Sequence, residues 1–199
     1  MSSEAAQPQP GRRERKKAAT RQAIADAALA LFVERGYDQV SIREIADAAD
    51  VSTTTLFKHF SGKEALVFDA DEQIESLFVA AVRERAPGVS IPQALRALTL
   101  RRIEYAIGTQ GFVEFRRLVE DTQALREFWH RMWMRHEAAL AAAIAAEIGV
   151  APDDASCVAL AHFSLEATSL ARASSDPKTA VEKAFALLEH GWDAAAERS

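Results

Sequence analysis

Three consecutive threonines, Thr53, Thr54 and Thr55, followed by Lys58 and His59, are the side chains of this sequence best suited to a chemical task. Threonine can hydrogen-bond a base edge and place its methyl against that of thymine. Lysine suits a phosphate oxygen, and Arg43 could reach either a phosphate or a base. Other constellations are poorer. Glu127-x-x-His130 has the spacing of a ligand pair in helical carboxylate metal proteins, but no second Glu-x-x-His occurs. Cys157 is the only cysteine, so neither an intramolecular disulfide nor a cysteine-built zinc site can form, and it reads as a small buried hydrophobe. No metalloprotease histidine pair, phosphate loop or dinucleotide fingerprint is present. The expectation is therefore a binding protein without a cofactor or metal, not an enzyme.

The threonines need a rigid element to present them. Ser52 reads as the N-cap of a short helix in which Leu56 and Phe60 bury, leaving Thr53, Thr54, Thr55, Lys58 and His59 outward. Before it, Ser41 with Glu44 forms a capping box for another short helix, whose Ile42, Ile45 and Ala49 face inward. Asp50 and Val51 make the turn between the two. Upstream, Ile24, Ala27, Ala28, Leu31 and Phe32 recur at helical spacing, giving a helix from about Arg15 to Arg35, closed by a left-handed cap at Gly36. Downstream, Ser61-Gly62-Lys63-Glu64 repeats the capping-box pattern. It predicts a fourth helix burying Leu66, Val67, Ile74, Leu77, Phe78 and Val82, stopped by Ala86-Pro87-Gly88. The free N–H groups at the starts of the second and fourth helices, with Lys58 and Lys63, suit phosphate oxygens.

Charge is distributed to match. The chain has 199 residues and a formal net charge of −5. Residues 11–63 hold ten Lys or Arg against seven Asp or Glu, a net of +3, whereas residues 64–199 hold fourteen against twenty-one, a net of −7. One end can approach phosphate and the other is repelled by it. The run Arg12-Arg13-Glu14-Arg15-Lys16-Lys17 reads either as an arm that tracks the backbone or enters the minor groove, or as a solubilising tail. The N-terminus lacks the apolar stretch of a signal peptide, and the longest apolar run, Ala138 to Ala146, is too short to span a bilayer. A cytoplasmic protein with no membrane association is expected.

The rest of the pattern stays helical. Segments run from about Ile91 to Ile107, Phe112 to Val119, Thr122 to Ile148, Asp153 to Ala173 and Pro177 to Ala195, without the alternation of a strand. The long segment puts Leu125, Phe128, Trp129, Met132, Trp133 and Leu140 on one broad stripe. Aromatics with adaptable methionine can line an apolar cavity, and ordinary core packing is the plainer reading. Residues 101–135 contain seven arginines and five acids, which suits a carboxylate or phosphate, or surface ion pairing. The last two segments carry Leu160, Phe163, Leu165, Leu170, Val181, Phe185, Leu188 and Trp192 around much of their circumference, more than a monomer would cover.

The run RRERKKAATRQAIADAALALFVERGYDQVSIREIADAADVSTTTLFKHFSGKEAL resembles, without gaps, the N-terminal domain of TetR-family transcriptional regulators. The resemblance implies an all-α homodimer: an N-terminal three-helix helix-turn-helix domain, then a helical ligand-binding and dimerisation domain. The expected division is a disordered tail over 1–11, the DNA-binding domain with its basic arm over 12–63, and the second domain over 64–199. Ser52, Thr53, Thr54, Thr55, Phe57, Lys58, His59 and Lys63 fall on the part of the motif that contacts double-stranded operator DNA, and Ser41 and Arg43 on its approaching second helix. There are two departures. Asp50 stands where the family usually has Gly, and Asp tolerates a left-handed backbone better than most residues. Phe57 stands where it often has Tyr. A phenyl ring cannot donate to phosphate, so packing in place of DNA contact is expected of Phe57.

The segment GFVEFRRLVEDTQALREFW is also similar, less specifically, to the mycofactocin-regulator-like subgroup that binds acyl-CoA-like ligands. That implies a small-molecule effector with a long apolar body and an anionic head, held by Arg102, Tyr105, Phe112, Phe128, Trp129, Met132 and Trp133. The last two helices would pair with their copies in a four-helix dimer interface. The expected activity is repression from a palindromic operator, relieved by ligand. The rivals are a helical metal-binding carboxylate enzyme and a helical interaction protein with a merely structural helix-turn-helix.

Overall fold

The computed structural model describes residues 11–69, 71–108 and 111–196. All but Gly11 of the tail expected to be disordered therefore lies outside the described residues. Among these the chain forms nine α-helices and one short 3-10 turn, with no strand: α1 (Arg12–Arg35), α2 (Ile42–Ala48), α3 (Thr53–His59), the turn Glu64–Leu66, α4 (Asp71–Arg83), α5 (Ile91–Gly108), α6 (Phe112–Asp121), α7 (Gln123–Ile148), α8 (Ala155–Ala173) and α9 (Pro177–Ala196). They fall into two compact units. The first runs up to Asp69 and includes Arg117–Thr122; the second takes the chain beyond Asp69 as far as Arg116, and from Gln123 onward.

In the first unit α1 begins three residues earlier than the spacing of apolar residues predicts. The Glu14 carboxylate accepts the Gly11 N–H at 3.0 Å, and Arg, Lys and Ala are good helix formers. Arg12 to Lys17 are exposed helix, not the extended arm that minor-groove entry would use. At the other end Gly36 gives its N–H to the Phe32 carbonyl at 2.9 Å. Its φ of 85° and ψ of 149° lie in a region open to glycine alone, in place of the expected left-handed helical cap.

Ile24, Ala28 and Phe32 of α1, Ile45 and Ala46 of α2 and Leu56 of α3 are all buried where these three helices pack together. Burying a side chain such as Leu56 contributes about 1.5–3 kcal/mol. Ala46 occupies the inward position, while Ile42 and Ala49, expected there, are only half-buried. Asp50 turns the chain at φ 52°, the left-handed backbone that its place between α2 and α3 requires.

The second capping box does not open a long helix. Residues 64–66 make a 3-10 turn, with the Val67 N–H on the Glu64 carbonyl at 3.0 Å, and α4 starts afresh at Asp71. The Asp69 carbonyl at this break accepts from Arg21 of α1 at 3.2 Å. Leu66 and Val67 are buried as expected, but in this turn segment and not in α4.

The second unit has its own core. Phe78 and Val82 of α4, Leu95 and Leu98 of α5, Leu140 and Ile144 of α7, Leu160 and Leu165 of α8, and Val181 and Phe185 of α9 cluster together. Leu77, expected inside, is 48% exposed, because the inward stripe of α4 runs through Phe78 and Val82. Arg85 secures the end of α4: it donates to the Val82 carbonyl at 2.7 Å, the Val89 carbonyl at 3.1 Å and the Glu147 carboxylate of α7 at 2.7 Å. Asp154 caps α8 by accepting from the N–H groups of Ser156 and Cys157 at 2.9 and 3.1 Å. Cys157 is fully buried, and burial, with Asp154 adjacent, pushes its thiol up to about 11. No helix among the described residues is long and apolar enough to cross a membrane.

Candidate nucleic-acid interface

Helix α3 is held from both ends. Ser52 accepts the Thr55 N–H at 3.0 Å, and the two hydroxyls lie 2.9 Å apart, so Ser52 and Thr55 are engaged in the cap. At the far end the Phe60 N–H closes on the Leu56 carbonyl at 3.0 Å. There the guanidinium of Arg21 donates to the His59 carbonyl and lies 4.3 Å from the centre of the Phe60 ring. Leu56 and Phe60 face the core. The face left in water carries Thr53, Thr54, Phe57 and Lys58.

That face is narrower than the sequence predicts: Thr55 is half-buried in the cap, and three more residues differ from expectation. His59 is half-buried, with its ring Nδ1 enclosed, and is not an outward side chain. Burial, then the nearby Arg21 and Lys17 charges, hold its imidazole below the usual histidine range, favouring the neutral form. Lys63 also turns inward. Its ammonium donates to the Tyr37 carbonyl and lies 4.1 Å from the Tyr37 ring centre and 5.5 Å from that of Phe32. Desolvation lowers its pKa against the pull of Asp38, Glu64 and Glu44. The side chain expected to meet phosphate thus braces the loop after α1, because a carbonyl and two aromatic faces lie within its reach. Phe57, expected to pack, is 55% exposed.

On α2, Ser41 and Glu44 form the full reciprocal cap. The Ser41 N–H and hydroxyl meet the Glu44 carboxylate at 2.8 and 2.7 Å, and the Glu44 N–H meets the Ser41 hydroxyl at 3.3 Å. Arg35 adds an ion pair at 2.7 Å, tying the end of α1 to α2. The Ser41 donors, then Arg35, hold the Glu44 carboxyl down at about 2. Arg43 is exposed in the first turn of α2.

Arg21 was not singled out from the sequence, although a signal was present. It precedes Ile24, Ala25 and Ala28 by three, four and seven residues, so it is a charge on the buried stripe of α1.

The residues expected to hold an effector are dispersed in exposure. Trp129 and Trp133 stack at 4.9 Å between ring centres, both half-buried, and Met132 is 1% exposed in the core. Phe128 is half-buried with the Arg131 guanidinium 5.9 Å from its ring, and Arg102 lies 5.3 Å from the Phe78 ring. Tyr105 is 78% exposed and does not line an enclosed pocket. Phe112 opens α6, and its side chain lies outside the described residues. An open hollow of about 550 Å³ runs along α4 past Gln73, Ser76, Leu77 and Ala80, none of which was expected to meet a ligand. Glu127 and His130 are both exposed; Glu127 accepts from Gln123 at 2.9 Å, and no cluster of three metal-ligating side chains occurs among the described residues.

Two short capped helices joined by a tight turn, the second presenting a polar face, define a helix-turn-helix DNA-binding regulator. Residues 24–70 match the family described as bacterial regulatory proteins, tetR family. Over 152 residues the chain is 35% identical to the HTH-type transcriptional regulator TcmR of Streptomyces glaucescens, covering 73% of this chain and 67% of that one. It is 40% identical over 73 residues to the HTH-type transcriptional repressor Rv1474c of Mycobacterium tuberculosis, covering 36% of this chain and 39% of that one. The fold is shared with a solved TetR-family regulator of Streptomyces coelicolor at a TM-score of 0.63 and 21% identity, over 92% of this chain and 99% of that one. The chain belongs to the TetR family, and it is a DNA-binding transcriptional regulator, not an enzyme.

Proposed function

We propose that this regulator is a repressor that binds a near-palindromic double-stranded operator as a homodimer in the cytoplasm, and that a small-molecule effector releases it. The observation that carries the reading is the face of α3, where Thr53, Thr54 and Lys58 stand in water while Leu56 and Phe60 anchor the helix from behind. Polar side chains on a rigid helix backed by a core are what major-groove readout requires. Arg43 and the capped N-terminus of α2 add phosphate contacts. The DNA-reading domain is taken as residues 12–63 and the effector and dimer domain as 64–199.

Dimerisation is supported by apolar surface on the last two helices. Phe163 and Leu170 of α8 are 54% and 53% exposed, and Leu187 of α9 is 78% exposed. A two-fold dimer carries two copies of α3 to half-sites about 34–36 Å apart. The effector is assigned an apolar body and an anionic head, acyl-CoA-like, on the strength of the Trp129–Trp133 stack and the arginines of α5 to α7. Its leverage is its preference between the DNA-competent dimer and another. A coupling of about 1–3 kcal/mol changes operator affinity roughly 5–150-fold.

The test is genomic footprinting with the full chain, followed by shift assays on the recovered sites with and without acyl-CoAs. Selective, salt-sensitive binding that falls with an acyl-CoA is expected. Salt-independent binding, or none, would leave a structural helix-turn-helix, and affinity untouched by any acyl-CoA would remove the effector class. Transcription from a recovered promoter that rises when the chain is deleted fits repression; a fall means activation.

A further inference from the structure

The phenyl ring of Phe57 is 55% exposed in the middle of α3. It follows Thr53 and Thr54 by four and three residues and precedes Lys58, so it belongs to the outward face, while its neighbours Leu56 and Phe60 are buried. A lone exposed apolar residue is ordinary on a protein surface. This one lies among the side chains that face the groove, on a helix of seven residues with few positions to spend. A phenyl ring has no donor or acceptor, so it can neither read a purine N7 nor bond to phosphate. The apolar feature of the major groove that it can read is the 5-methyl of thymine.

Resting on the DNA-reading assignment made above, we infer that Phe57 is a specificity-determining residue, which packs its ring against a thymine methyl in each half-site. Thr53 and Thr54 read hydrogen-bonding edges beside it, and Lys58 holds the backbone. The operator then carries an obligatory thymine at one place in each half-site, defined by its methyl and not by its pairing edge.

Deoxyuridine removes that methyl and nothing else. Duplexes enriched from a random pool by the full chain are resynthesised with each half-site thymine replaced in turn by deoxyuridine, and affinities are read by fluorescence anisotropy. At one position deoxyuridine weakens the wild-type protein about three- to fivefold per half-site, the worth of roughly one buried methyl. Phe57→Ala binds the thymine and deoxyuridine duplexes alike at that position, and Phe57→Tyr, which keeps the ring, keeps the preference. The inference is overturned if wild type is indifferent to deoxyuridine at every position, or if the enriched half-sites lack thymine. It is also overturned if Phe57→Ala keeps the wild-type preference, which would give the methyl to a threonine. A pool in which no sequence is enriched overturns the DNA-reading assignment itself, and this inference with it.

Discussion

Arg21 and Asp69 are joined twice: the guanidinium Nε lies 2.6 Å from the Asp69 carboxylate, and a terminal nitrogen lies 3.2 Å from its backbone carbonyl. The same guanidinium donates to the His59 carbonyl at the end of α3. One side chain of α1 therefore fastens both the end of α3 and the chain at Asp69. Arg21→Ala should lower stability by about 1–3 kcal/mol, since it frees two carbonyls and a ring contact while the ion pair is partly screened by solvent. Arg21→Lys should recover little, because an ammonium cannot form the fork. Denaturant midpoints measure both, and a midpoint for the alanine variant equal to wild type would contradict the clamp.

Lys58 and Lys63 should behave differently on DNA despite their proximity in sequence. Lys58 is exposed on α3, whereas the Lys63 ammonium is committed to the Tyr37 carbonyl and ring. Lys58→Ala should weaken binding across sequences and reduce the slope of log affinity against log salt by about one. Lys63→Met should leave that slope alone and lower the melting temperature. A shallower slope for Lys63→Met would mean that the side chain leaves the loop to meet phosphate.

At Asp50 the backbone stands at φ 52° without a glycine. Removing the Cβ relieves the left-handed strain, while the added freedom of the unfolded chain offsets part of the gain. Asp50→Gly should therefore raise stability by up to about 1 kcal/mol, and Asp50→Val, β-branched, should lower it by more. Thermal melts of the three proteins should rank Gly, Asp, Val in descending order.

Glu44 sets an acid limit on the first unit. Its carboxyl is held at about 2, against an ordinary value of 4.5. A folded-state pKa below the unfolded one means that the contribution is complete above about 4.5 and disappears as pH falls towards about 2. Glu44→Gln should flatten melting temperature against pH across that window and leave the curve near pH 7 displaced but parallel. An acid limb of unchanged steepness in the variant would assign it to other carboxylates.

On α8 and α9, Phe163 and Leu187 are large apolar side chains left exposed in a single chain. Introducing charge there, as Phe163→Glu with Leu187→Glu, should convert dimer to monomer in sedimentation equilibrium and weaken operator binding, with secondary structure retained. A double variant that stays dimeric would move the interface elsewhere.

What could be read from the residues in order was local. Ser41 with Glu44, and Ser52 before the threonines, announce α2 and α3 because a cap is closed by atoms three residues apart. The 3.6-residue spacing of Ile24, Ala28 and Phe32 marks the core face of α1 for the same reason. Ser61 with Glu64 carries the same local pattern, and there it misleads. The chain there makes only a 3-10 turn, and the Asp69 carbonyl beyond it accepts from Arg21, 48 residues away in the chain.

The helix-turn-helix, its polarity and the all-helical class follow from residues read in order, since caps, spacing and composition act within a few residues. Which side chains around α3 stay in water was settled only by the packing of the whole first unit. It drew Lys63 onto Tyr37, enclosed His59 and left Phe57 in water. Charge and polarity belong to a residue wherever it sits, but orientation depends on which carbonyls and rings the rest of the chain brings within its reach.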